Sequence, residues 1–114
     1  MFVPYICCGD PTLEFSEKLA LALEPYSDLL EIGIPFSDPI ADGPTIQAAS
    51  QRALLQKINP AKAFSFVSSL RAKKFARPIA IMAYYNTLYS FGAEKFILEM
   101  KKAGASSIII PDLP

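Results

Sequence analysis

The sequence contains no histidine. That excludes Ser-His and Cys-His nucleophile systems. Its two cysteines, Cys7 and Cys8, are adjacent, so they are poorly placed to bridge each other. With no histidine beside them they leave almost no zinc-ligand set. Reduced thiols fit a reducing cytosol. There is no G-x-x-x-x-G-K-S/T and no G-x-G-x-x-G, so nothing marks a nucleotide cradle. Neither sign of charge dominates: 11 Lys and Arg stand against 11 Asp and Glu, without a long run of either. That argues against a nucleic-acid partner and against a membrane-surface helix. No apolar stretch reaches the ~18 residues of a spanning helix. No signal peptide is visible ahead of Phe2-Val3-Pro4. What remains for acid–base work is Asp, Glu, Tyr and Lys.

What is present is a core-forming composition. Apolar residues make up 52% of 114, enough for one packed domain. Phe2 to Cys7 is a short run of strand formers. Gly9-Asp10-Pro11-Thr12 ends it, with Asp10 or Thr12 as a cap for the helix that follows. Phe15, Leu19, Ala22 and Leu23 then recur at helical spacing up to Pro25. Leu29 to Ile34 reads as a second strand, with Leu29 and Glu31 on one face and Leu30 and Ile32 on the other. Pro35 to Gly43 is loop. Pro44 opens a helix with Ile46, Ala49 and Ala53 inward, and Asn59-Pro60 opens another. Pro78 to Ala83 is a third strand, Gly92 to Lys102 a helix capped by Gly104, and Ser107 to Ile110 a fourth strand.

Apolar strands alternating with amphipathic helices predict a parallel sheet, whose working residues sit beyond the carboxyl ends of the strands. Glu31, Asp38, Asp42, Tyr84, Asn86 and Asp112 fall there. A (β/α)8 barrel takes ~250 residues, about 31 per unit. The chain is therefore expected to be α/β, a partial TIM barrel of about four β/α units with parallel strands. A four-stranded open sheet acting as a binding module is the other reading.

Glu31, Asp38 and Asp42 stand in a stretch with no Lys or Arg. Keeping Glu31 charged and unpaired inside a strand core costs several kcal/mol. Acid–base sites are built from carboxyls held that way. The plainer alternative is a strand-end Glu that reaches solvent.

The run Leu30-Glu31-Ile32-Gly33-Ile34-Pro35-Phe36-Ser37-Asp38-Pro39-Ile40-Ala41-Asp42-Gly43-Pro44-Thr45-Ile46-Gln47 closely resembles the signature of the tryptophan synthase alpha chain family. Phe2-Val3-Pro4-Tyr5 with Gly9-Asp10-Pro11 resembles its first strand and loop. Met82-Ala83-Tyr84-Tyr85-Asn86 and Pro111-Asp112-Leu113-Pro114 resemble its third and fourth strand ends. The resemblance implies a TIM-barrel lyase that cleaves indole-3-glycerol phosphate to indole and glyceraldehyde 3-phosphate by a retro-aldol reaction. It implies a cytoplasmic enzyme of tryptophan biosynthesis with no cofactor or metal of its own. Its partner is a beta chain that carries pyridoxal phosphate and joins indole to serine.

By the same resemblance Glu31 is the general acid–base residue, and Asp42 the carboxylate that holds the indole N–H. A carboxyl out of water keeps its proton to higher pH, whereas one on a wet loop stays ionised, so two environments give two roles. Tyr5, Met82, Tyr84, Ile109, Ile46 and Pro111 match the indole pocket. Core packing is the alternative for Met82 and Ile109, and helix packing for Ile46. Asp38 and Pro39 match the loop that meets the beta chain. Asn86 and Asp112 read as loop-organising, and Tyr85 and Tyr89 as packing.

Residues 1–114 are expected to be the N-terminal half of such a barrel, short of the phosphate-binding loops after strands seven and eight. Without that anchor, this chain alone is expected to be inactive and prone to self-association. The alternative function is a non-catalytic remnant that at most binds a beta chain.

Overall fold

The computed structural model describes residues 1–37 and 43–113. In chain order it contains β1 (Tyr5–Cys7), α1 (Leu13–Leu23), a 3-10 turn (Glu24–Tyr26), β2 (Leu30–Gly33) and α2 (Pro44–Leu55). These are followed by α3 (Pro60–Ala72), β3 (Ile79–Met82), α4 (Tyr85–Phe91), α5 (Ala93–Ala103) and β4 (Ser107–Ile109). The four strands form one parallel sheet in the order β1-β2-β3-β4.

The helices begin where their capping chemistry dictates. Thr12, rather than Asp10, caps α1, its Oγ1 accepting from the Phe15 N–H at 3.1 Å. Asn59 caps α3 by accepting from the Lys62 N–H at 2.9 Å. Pro44 and Pro60 occupy first-turn positions, where no N–H is required. Gly104 ends α5 at φ 114°, a left-handed conformation that costs glycine little.

The register puts alternate residues of the strands on opposite faces. Ile6, Ile32 and Ile81 share one row, with Leu30 and Ile79 beside them, and all are buried. Phe64, Val67 and Leu70 of α3 and Phe96 and Met100 of α5 belong to the same core. Phe64, Phe91 and Phe96 meet edge to face, with ring centroids 5.0–5.8 Å apart. Each such aliphatic or aromatic side chain contributes roughly 1.5–3 kcal/mol of burial, so this face holds the sheet to its helices. α3 packs against α1 and α5, whereas α2 packs on β1.

A further helix, α4, follows β3 directly at Tyr85–Phe91. One expectation is corrected. Phe15 is 52% exposed, so it does not belong to the inner stripe of α1. Tyr85 and Tyr89, expected to pack, lie against each other at the surface with ring centroids 6.2 Å apart; Tyr89 is 72% exposed.

Candidate active site

The second face of the sheet carries the candidate residues. Tyr5 of β1, Glu31 of β2, Ala80 of β3 and Ser107 of β4 lie side by side in one row. Gly33, Met82 and Ile109 follow one step nearer the carboxyl ends. Neighbouring strands are about 4.8 Å apart, so Tyr5 and Glu31 are immediate neighbours along the row. The period-two reading of Leu29 to Ile34 therefore holds: Glu31 points to the face opposite Leu30 and Ile32.

Glu31 is half-buried rather than sealed. Its row partner on β3, Ala80, is short and covers little of it. Among the described residues, no hydrogen bond or ion pair of its side chain is found. Its oxygens are accordingly open to a molecule approaching over this face. Tyr5 and Met82 are half-buried beside it, and Ile109 is 37% exposed.

Tyr84 differs from the others. It is 2% exposed, and its ring stacks on Phe36 with centroids 5.0 Å apart and planes 16° from parallel. The stack joins the loop after β2 to the end of β3. Pro111 lies in an exposed turn. Asp112, in the same turn, accepts from the Tyr85 N–H at 2.8 Å and so supplies α4 with its N-terminal acceptor. That is the loop-organising role expected of it. Asn86 is exposed in the first turn of α4. Asp38, Pro39 and Asp42 lie outside the described residues.

A groove of ≈ 560 Å³ between β1, α1 and α2 brings Tyr5 and Ile46 together, with Thr45, Ala49 and Arg52. Arg52 forks onto Asp10: its Nε donates to one carboxylate oxygen at 2.7 Å and its Nη2 to the other at 3.0 Å. The Gly9 N–H donates to Ser16 Oγ at 3.1 Å, fixing the same loop to α1. Bidentate guanidinium–carboxylate pairs are among the more specific polar contacts, and this one sets α2 against the end of β1. Neither the Arg52–Asp10 fork, spanning 42 positions, nor the Phe36–Tyr84 stack leaves a local signal in the sequence.

Among the described residues, no group of three or more His, Cys, Asp or Glu side chains could hold a metal ion. Among the same residues, no helix is long and apolar enough to cross a membrane.

The chain matches the family model described as tryptophan synthase alpha chain over residues 1–114. It is 48% identical over 113 residues to a tryptophan synthase alpha chain of Methanocaldococcus jannaschii, covering 99% of this chain and 40% of that one. It is 46% identical over 115 residues to one of Geobacillus stearothermophilus, covering 100% and 43%. A tryptophan synthase complex from Pyrococcus furiosus contains a chain that superimposes with TM-score 0.93 at 42% identity, over 99% of this chain and 47% of that one. The chain thus spans under half the length of these relatives, and its four parallel strands are part of a TIM barrel. With the family model matched from end to end and a relative nearly half identical throughout, the chain belongs to the tryptophan synthase alpha chain family.

Proposed function

We propose that these residues are the N-terminal half of a tryptophan synthase alpha-type barrel. That barrel cleaves indole-3-glycerol phosphate to indole and glyceraldehyde 3-phosphate in tryptophan biosynthesis. Glu31 delivers a proton to the ring carbon that bears the glycerol phosphate side chain. The bond from that carbon breaks and its electrons return to the ring. The hydroxyl on the departing carbon gives up its proton to the Glu31 carboxylate left by the first transfer, and that carbon becomes the aldehyde. Asp42 holds the indole N–H and offsets positive charge on the ring. Tyr5, Met82, Tyr84, Ile109, Ile46 and Pro111 form the walls, with Tyr84 acting from behind through its stack on Phe36.

The observation that carries this reading is the placement of Glu31. It is a half-buried carboxyl without a partner among the described residues, beside an aromatic ring, on the open face of a parallel sheet. A carboxyl with no protein partner among the described residues, facing a molecule laid over this sheet, is placed to hand a proton to a ring carbon. The reading needs no cofactor; pyridoxal phosphate belongs to the beta chain, which Asp38 and Pro39 would contact. A cytoplasmic location goes with it.

Orientation of a phosphate-bearing substrate supplies ~7–11 kcal/mol of a barrier of this kind. No Gly-rich phosphate loop occurs in these 114 residues, so by themselves they are expected to be inactive. The other reading is a non-catalytic remnant that at most binds a beta chain through the loop holding Asp38 and Pro39. The intact mass of the natural polypeptide separates the two. About twice 12.5 kDa supports the lyase, whereas a mass equal to it supports the binding role. In a form that carries the activity, Glu31→Gln should lower kcat for indole release by about 10²–10⁴. An unchanged rate would remove Glu31 from the chemistry.

A further inference from the structure

Gly33 is a buried glycine in the middle of the site whose backbone does not need it. Its φ lies outside the left-handed range, in ordinary strand, where any residue is at home. What excludes a side chain is space. A Cβ built on Gly33 would lie 1.9 Å from the Tyr5 hydroxyl oxygen, 2.5 Å from Cζ and 2.8 Å from Cε2. All three are atoms at the far end of one ring, and no backbone atom is among them.

Tyr5 pairs in register with Glu31, two residues before Gly33. Two residues of strand cover about 6.7 Å, close to the reach of a tyrosine side chain. The ring therefore leans along the sheet toward its carboxyl end, passes beside Glu31 and lays its hydroxyl end over Gly33. Standing upright instead, it would fill the space above Glu31 that a substrate ring needs. Ile46 and Thr45 line the same groove as Tyr5.

We propose that Gly33 is a positioning residue: its missing side chain lets the Tyr5 ring lie flat beside Glu31, and this sets the depth of the pocket for a planar bicyclic substrate ring. The substrate part rests on the lyase reading above. The seat itself rests only on the geometry. A methyl group at position 33 should leave the strand intact and raise the ring, because the atoms it meets can move. Shortening Tyr5 should relieve the clash.

The test is a cycle of Gly33→Ala, Tyr5→Leu and the double variant, in a form of the chain that carries the activity. Gly33→Ala should raise KM for indole-3-glycerol phosphate by about 10- to 100-fold, the discrimination expected of one methyl group in an apolar pocket. It should lower kcat less. In the Tyr5→Leu background the same methyl should have almost no further effect. Unfolding temperatures should show the same non-additivity, as expected of residues in contact. Additive unfolding temperatures would overturn the seat. Coupled unfolding temperatures with KM unchanged in Gly33→Ala would overturn the positioning role. A parent chain that neither binds nor cleaves indole-3-glycerol phosphate would remove the lyase reading, and the substrate claim with it. The unfolding cycle would still decide the seat.

Discussion

At the scale of single residues, Cys8 shows how this fold treats a titratable group it does not use. Burial, and then the neighbouring Cys7, push its pKa from 9.0 up to about 12. Between those values the native state keeps the proton and the unfolded chain releases it. Stability is therefore fully present below pH 9 and falls as pH rises toward 12. Between pH 7 and pH 10 this group should cost the parent chain about 1.4 kcal/mol that Cys8→Ala does not lose. Urea titrations of both proteins at the two pH values measure it, since lysines and tyrosines titrate alike in each. Equal losses would mean that the thiol is not shielded. Glu17 behaves in the opposite sense. Its hydrogen bond and ion pair with Lys73 hold its pKa below the ordinary value against some desolvation, so its contribution disappears as pH falls. The residue scale is also where the sequence was most and least informative. Period-two alternation was enough to place Glu31 on the face opposite Leu30 and Ile32. The lean of Tyr5 over Gly33 depends on two strands meeting in one register, which no local pattern encodes.

At the scale of elements, Arg71 holds three pieces of chain together without a carboxylate. From α3 its Nη1 donates to the carbonyls of Phe75 at 2.7 Å and Arg77 at 2.8 Å. Its Nε and Nη2 donate to the carbonyl of Gly104, at the end of α5. Desolvation pushes its pKa down, with Glu24 opposing, as expected of a guanidinium used structurally. A Cβ at Gly104 would lie 2.7 Å from Arg71 Cγ, so the glycine both ends α5 and admits this side chain. Lysine has one donor atom and cannot reach these carbonyls together. Arg71→Lys should lower stability by about 2–4 kcal/mol in urea unfolding, given hydrogen bonds to charged groups of about 1.5–3 kcal/mol each. A change below about 0.5 kcal/mol would show that water replaces the clamp. Element boundaries were legible where caps are local, as at Thr12, Asn59 and Gly104. α4 was not, for a related reason. Tyr-Asn-Thr-Leu-Tyr-Ser-Phe is poor in strong helix formers, and its N-terminal acceptor, Asp112, lies 27 positions away.

At the scale of the whole molecule, the helices cover one sheet face far better than the other. The Leu30–Ile32–Ile79–Ile81 face is closed, while Tyr5, Met82 and Ile109 remain partly in water. β1 and β4 are the two edges of the described sheet. Each is three residues long, so backbone pairing along either edge is a weak drive to associate. The open apolar face adds to it, and a net charge of zero provides no repulsion. A polypeptide of these 114 residues made alone should therefore self-associate with rising concentration, departing in size-exclusion chromatography from a compact body of 12.9 Å radius of gyration. Ser107 tests which feature drives this. It is exposed, lies in the edge strand β4 and shares a row with Glu31 and Tyr5. A lysine there puts charge on the open face and the edge without entering the closed core. Ser107→Lys should shift the chain toward monomer at equal concentration. If it elutes as the parent does, association does not use this face, and the helical surface around the exposed Leu98 becomes the place to look.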